Sequence, residues 1–252
     1  MGLKNLLHII ILMSVISRES VQRLLKDVKQ ILTQPLTEQG IYYIHDDEDM
    51  LKGYAMIVGP SETPYYGGYY FFEIDYPVDY PNSPPKVKYC TNGENIRFNP
   101  NLYVCGKVCI SLLNTWRGDQ WTSCQTISTV LLTLCTLLCK NPLLNEPGVC
   151  IQHKDMENYT EIIEYSNLKI AVCDILYRKE GVYLPFFENF YPFIKEHFLK
   201  NYDNFLEFAK KKNDENKGQC VNFKTHFYLL NVNIDYNKII ARLEEIKLLT
   251  SL

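Results

Sequence analysis

Residues 97–116 read RFNPNLYVCGKVCISLLNTW, with Cys105 and Cys109 four apart around Gly106, an Asn-Pro-Asn upstream and a tryptophan just behind. Four kinds of chemistry use such cysteines. A structural zinc site needs four ligands, and here no Cys-x-x-Cys occurs anywhere and the five histidines do not cluster beside cysteines, so no metal is expected. A disulfide framework does not suit nine cysteines, an odd number, in a chain of 252 residues; the usage fits a reducing compartment. Thiol hydrolysis needs a base, and the nearest histidines in sequence, His45 and His153, are far from Cys109 unless folding brings them there. The fourth chemistry uses one sulfur alone. Asn101, eight residues before Cys109, can donate a hydrogen bond to an oxyanion developing on an acyl group held at Cys109. A thioester beside such a donor, with no strong local base, would pass to an amine without readily activating water. Spacing leaves the plainer alternative open: Asn101 pins the loop and Cys109 is a buried structural thiol.

The elements around this stretch follow from periodicity. Val21, Leu24, Leu25, Val28, Ile31 and Leu32 recur at helical spacing and predict an amphipathic helix over 18–33, stopped by Pro35, with Arg18, Arg23, Lys26 and Lys29 on its other face. Short β-rich runs follow at 41–44, 54–58, 69–74 and 86–89. The breaks between them are too short for crossover helices, so they predict an antiparallel meander of four strands. The proline-rich stretch 77–85 cannot be a central strand. Residues 90–121 show no period and read as a long functional loop. Apolar residues at 127, 130, 131, 134, 137 and 138 predict a helix capped by Thr122 or Ser123 and stopped by Pro142. Runs near 158–178, 185–212 and 235–249 are helical in pattern. The phenylalanines of the second, at 186, 187, 190, 193, 198, 205 and 208, read as core between helices. Cys135 and Cys139, one helical turn apart, read as core filler.

Composition narrows the function. Hydrophobic residues make up 46% of the chain, enough for a real core. The net charge of −3 and the absence of a concentrated basic face argue against nucleic-acid binding. The apolar run near the start, LLHIIILMSVIS, is too short for a membrane span. No membrane association is expected, and the leader at 1–17 has no assigned role.

The same residues carry a resemblance. Pro100, Asn101, Gly106 and Cys109 match the active-site signature of ubiquitin-conjugating enzymes, GPSETPYYGGYYFFEIDYPVDYPNSPPKV at 59–87 is similar to that family's strand and proline-rich region, and Trp121 with the helix behind it also matches. The resemblance covers about 18–155. Asn99 stands where the family has histidine, and an insertion, NTWRGDQ, separates Cys109 from Trp121. Both features resemble the Z-type subgroup, whose members are larger and carry a helical C-terminal extension. NEPG at 145–148, IAVCD at 170–174 and Asp235-Tyr236 are similar to the same subgroup.

The resemblance implies an α+β ubiquitin-conjugating fold with an N-terminal helix, a four-stranded antiparallel meander, an active-site loop and helices. It implies a catalytic domain over 18–155 and a helical extension over 156–252. It implies an enzyme that accepts ubiquitin or a ubiquitin-like modifier from an activating enzyme as a thioester on Cys109 and transfers it to a substrate lysine, usually with a ligase. Asn101 then stabilises the oxyanion and Glu146 is the candidate for orienting the lysine. Arg23 and Lys26 would meet the activating enzyme, and Tyr76 would meet the ligase. No metal or organic cofactor is implied, and a cytoplasmic or nuclear location is expected. Two rival readings are an inactive adaptor that only binds modifier, and a cysteine hydrolase.

Overall fold

The computed structural model describes residues 16–251, so all of the leader's apolar run before Ile16 lies outside the described residues. Helix α1 spans Arg18–Thr33; the Ser17 hydroxyl accepts the Ser20 amide at its N-terminus and the chain breaks at Pro35. Its buried stripe is narrower than the spacing predicts. Leu24, Val28 and Ile31 are buried, whereas Leu25 and Leu32 are each 54% exposed. Asp27, only 2% exposed, occupies the buried face beside them.

The predicted meander forms as β1 (Ile41–His45), β2 (Lys52–Val58), β3 (Tyr69–Asp75) and β4 (Lys86–Tyr89), antiparallel throughout and in chain order. The register Tyr42–Met56–Phe71 sets one face, and Tyr54 opposite Glu73 belongs to it. β3 carries Tyr69, Tyr70, Phe71 and Phe72, all 0% exposed. Side chains alternate between faces, so four buried aromatics in a row mean that both faces are covered. Tyr70 stands edge-on to Tyr65 and Phe98 on one side. On the other, Phe187 stacks on Phe71 with ring centroids 3.6 Å apart, Phe186 stacks on Tyr54 at 4.6 Å, and Phe193 meets Tyr42 at 5.0 Å. The first part of the phenylalanine stripe, at 186, 187 and 190, is thus core against the sheet, a correction to its expected place between helices, whereas Phe198 and Phe205 stack on each other farther along the chain. Each ring fully removed from water contributes about 1.5–3 kcal/mol.

The remaining helices are α2 (Ile127–Leu137), α3 (Met156–Ser166), which runs on into a π-helical turn at Asn167–Asp174, and α4 (Tyr191–Glu215), entered through a 3₁₀ segment at Pro185–Phe190. Thr126, not Thr122 or Ser123, begins α2, in a capping box with Thr129. Thr122 is spent on a separate turn, where its carbonyl and amide bond Gln125, and the Ser123 carbonyl accepts from Arg23. Cys135 and Cys139 are half-buried, at the margin of the core. The π-helical turn presses Asn167 onto Gly68, where an added Cβ would lie 1.8 Å from the asparagine oxygen, so only glycine fits. No helix among the described residues is long and apolar enough to cross a membrane.

The region after 156 is not purely helical. Between α4 and the last helix, α5 (Tyr236–Ser251), a small hairpin forms from β5 (Val221–Lys224) and β6 (Asn231–Ile234). Asp155, 2% exposed, clamps its tip: one carboxylate oxygen accepts the amides of His226 and Phe227 at 2.8 and 2.9 Å, the other faces His226 Nδ1 at 3.2 Å. Burial pushes this carboxyl up, but the bonds from Phe227 and His226 outweigh it and hold it below the usual carboxylate range. A depressed folded-state value stabilises above the unfolded value, about 3.9, and that contribution fades as pH falls through the folded one. Thermal melts from pH 6 to pH 3 are therefore expected to show an acid loss of stability that is smaller in Asp155→Asn. Identical acid slopes would contradict the clamp.

Candidate active site

The loop that carries Cys109 is built on its own backbone. Leu102 bridges Val108, the Tyr103 amide donates to the Lys107 carbonyl at 2.9 Å, and the Cys109 amide donates to the Asn101 carbonyl at 2.9 Å. This folds 101–109 into a tight turn. Gly106 takes φ +90°, a left-handed value that penalises a side chain, and its carbonyl accepts the Tyr89 amide at 2.8 Å, fixing the turn to β4. These backbone bonds set Asn101 opposite Cys109. The Asn101 Nδ2 donates to the Cys109 carbonyl at 2.6 Å, and its Oδ1 is buried without a hydrogen-bond partner.

Asn99 braces the turn from behind. Fully buried, it donates to the Tyr65 hydroxyl at 3.0 Å and the Leu137 carbonyl at 2.8 Å, and its Oδ1 accepts the Asn101 amide at 2.9 Å. Asn145 adds a longer bond to the same oxygen, at 3.4 Å. The asparagine at the family's histidine position thus ties the active-site turn to the end of α2. On the far side of Cys109, the Thr115 hydroxyl donates to the Val108 carbonyl and accepts the Ile110 amide. Asn114 closes the neck of the insertion by accepting the Trp121 amide at 2.9 Å, leaving residues 114–120 exposed. Trp121 itself is anchored, its Nε1 donating to the Pro81 carbonyl at 2.7 Å.

Cys109 is 3% exposed in this state. Besides the half-buried Cys135 and Cys139, the other thiols are either buried or exposed. Burial pushes Cys90 up to about 11 and Cys173 up to about 12, so both stay protonated near neutral pH and are poor nucleophiles. Cys105, Cys124, Cys150 and Cys220 are exposed. The four histidines among the described residues are all committed elsewhere: His45 to Tyr43 and the Met50 carbonyl, His153 to the Asp155 amide, His197 to Tyr69, and His226 to Asp155. None supplies the base that a thiol hydrolase needs. Among the described residues no group of three or more His, Cys, Asp or Glu is placed to hold a metal ion.

The remaining candidates fall in three places. Glu146 lies just past Asn145 and is half-buried; its carboxylate accepts the Tyr228 hydroxyl. Lys26 is exposed on α1, but Arg23 is withdrawn from that face. Its Nε meets the Asp27 carboxylate at 2.9 Å, while its terminal nitrogens donate to the Ser123 and Gln125 carbonyls. Arg23 therefore fastens α1 to the approach of α2. Tyr76 is 3% exposed, its hydroxyl bonded to that of Tyr43 at 2.9 Å and its ring edge-on to Tyr80. Its ring is interior, which corrects the expected surface contact; Val78, two residues on, is 40% exposed.

Sequence reasoning missed Asp27, Asn99 as a brace, Arg97 and Tyr228. Asp27 left a signal, since a carboxylate on the buried stripe four residues after an arginine implies a buried pair. Arg97 is sandwiched, its guanidinium 3.5 Å over the Tyr103 ring and 4.6 Å over Tyr228. No local pattern announces a contact between residues so far apart in the chain.

A four-stranded meander flanked by helices, with Cys109 on an asparagine-braced turn, defines a conjugating-enzyme architecture. The sequence profile "Ubiquitin-conjugating enzyme" matches residues 23–167. The chain belongs to the ubiquitin-conjugating enzyme family, whose members are transferases. It is 38% identical over 234 residues to ubiquitin-conjugating enzyme E2 Z of Danio rerio, spanning 92% of this chain and 69% of that protein. It is 38% identical over 224 residues to the Homo sapiens protein of that name, spanning 88% of this chain and 61% of that one. Among solved structures, the ubiquitin conjugating enzyme E2 domain of Toxoplasma gondii aligns with a TM-score of 0.48 at 26% identity, over 60% of this chain and 97% of that chain.

Proposed function

We propose that the chain carries ubiquitin, or a ubiquitin-like modifier, as a thioester on Cys109 and passes it to a substrate lysine. The observation that carries this reading is the Asn101 amide, held against the Cys109 carbonyl on a turn that Asn99 braces. In loading, the Cys109 sulfur attacks the thioester carbonyl on the activating enzyme, a new carbon–sulfur bond forms, and the activating enzyme's thiol leaves. In discharge, the lysine nitrogen attacks that carbonyl, the oxyanion is met by the Asn101 N–H, and the carbon–sulfur bond breaks as the amide forms. The amine's proton ends on solvent or on the departing sulfur, and Glu146 orients the amine before attack. ATP is consumed by the activating enzyme.

The exposed part of α1, with Leu25 and Leu32 beside Lys26 and Lys29, suits docking of the activating enzyme. A ligase would meet the loop around Val78, since Tyr76 is buried. A cytoplasmic or nuclear location goes with this reading, because Cys109 must stay a free thiol.

The test is single-turnover charging with activating enzyme, ATP and ubiquitin, run on gels with and without reductant and then chased with free lysine. A reductant-sensitive adduct that chases onto lysine is expected. Cleavage of ubiquitin chains in place of charging would establish hydrolysis instead, and modifier binding without any adduct would establish an adaptor.

A further inference from the structure

The hairpin tip is strained at one point and bonded to the transfer site at that same point. Tyr228 and Leu229 are consecutive left-handed residues, φ +60° and +51°, a conformation that side chains disfavour and that persists only where surroundings enforce it. Here the enforcement comes from Asp155, which holds the His226 and Phe227 amides, and from Thr225, whose hydroxyl donates to the Phe227 carbonyl at 2.7 Å. The hairpin's backbone is closed behind the tip by the Thr225 amide on the Leu230 carbonyl. Leu229 is left 84% exposed, so the strain does not serve to bury it. What the bend achieves is the placement of Tyr228.

That ring reaches Glu146, the residue proposed to orient the lysine, and Arg97, which bonds the backbone before Asn101. Its hydroxyl donates to the Glu146 carboxylate. Its face lies 4.6 Å from the Arg97 guanidinium, whose other face rests on Tyr103, within the turn that carries Cys109. Arg97 also donates to the carbonyls of Asn99 and Pro100, and its own carbonyl accepts the Tyr159 hydroxyl at 2.6 Å. One side chain from residue 228 thus joins the acidic candidate at 146 to the backbone just before Asn101. Burial and the bond to Glu146 both push the Tyr228 phenol up, so it stays a proton donor across the working pH range.

The geometry points to Tyr228 as a positioning residue of the transfer step: the C-terminal hairpin supplies it to hold Glu146 where an incoming lysine must be oriented. This rests on the thioester reading above and deepens it, because it makes the extension a working part of the transfer site. Tyr228 touches neither the thioester nor the amine; it acts through Glu146.

The experiment compares Tyr228→Phe, Glu146→Gln and the double variant with wild type, reading loading of Cys109 and discharge onto free lysine separately in the same samples. Tyr228→Phe keeps the ring on Arg97 and removes only the O–H. Its loading rate is expected to match wild type and its melting temperature to fall by only a few degrees, the scale of one lost hydrogen bond, while discharge slows about ten- to a hundredfold, the scale of lost orientation at a reacting group. Glu146→Gln is expected to lose as much or more, and the double variant no more than Glu146→Gln alone, because both act through one contact. Wild-type discharge by Tyr228→Phe, or losses that multiply in the double variant, would overturn the assignment while leaving the thioester reading intact. Loading and discharge lost together would make Tyr228 merely structural and overturn it too. A wild-type chain that never loads would overturn both.

Discussion

Cys109→Ala is expected to form no adduct with any modifier, Cys109→Ser to form one that survives reductant, and Cys105→Ala to load as wild type does. The contrast between the two cysteines is informative because accessibility favours the other one. Cys105 is exposed, on the outer edge of the turn, whereas Cys109 is 3% exposed. If exposure decided the carrier, Cys105 would load first. The geometry decides otherwise. A thioester carbonyl needs a preorganised donor at its oxygen when it is attacked, and the Asn101 amide is anchored opposite residue 109. Oxygen in place of sulfur gives an ester that thiol exchange does not cleave, which is why the serine variant separates a carrier from a cysteine needed only for packing. Loading by Cys109→Ala at the wild-type level would mean that another of the nine sulfurs carries the acyl group.

Asn101→Ala is expected to load normally and to discharge onto lysine about a hundredfold more slowly, the usual cost of one oxyanion donor. Asn101 also has a structural bond, its Nδ2 to the Cys109 carbonyl, whose loss costs about 1 kcal/mol. In a chain of this size that lowers the melting temperature by about 2–4 °C. The two effects are separable. A small fall in melting temperature with slow discharge identifies a donor that switches from the carbonyl to the oxyanion. Wild-type discharge with the same fall would reduce Asn101 to a pin for the loop, the alternative that sequence spacing left open.

The elements with local signals were legible in the sequence. Pro35 and the 3.6-residue period gave α1 its bounds, and the strand runs with their short breaks gave the meander. The phenylalanine stripe announced a buried face but not what covers it, because periodicity carries no information about partners; the four consecutive aromatics of β3 were the missed clue that the sheet is buried on both sides. The hairpin at 221–234 escaped because VNFK and NVNI are four residues each and rich in asparagine, which is depleted in strands. Within the site, spacing suggested that Asn101 could reach an acyl group on Cys109, but the tight turn whose backbone bonds bring the two together was not readable from it. Tyr76 was misjudged as a surface residue, and Arg23, still partly exposed, makes bonds within its own fold as well. A charged or aromatic residue at a matching position can face a partner protein or its own fold, and here Asp27 and Tyr43 claimed them first. Tyr228 lies 119 positions from Cys109 by numbering, with nothing local to mark it.

The most direct measurement is peptide mass spectrometry of the single-turnover adduct, digested with trypsin under acidic conditions that preserve thioesters. Cleavage after Lys107 and Arg117 isolates residues 108–117 with Cys109 as their single cysteine, and cleavage after Arg97 sends Cys105 to a different peptide, 98–107. The modifier's C-terminal remnant is expected on 108–117, and hydroxylamine should remove it. A remnant on 98–107, or a chain that remains unmodified after active charging enzyme and ATP are supplied, would contradict Cys109 as the carrier.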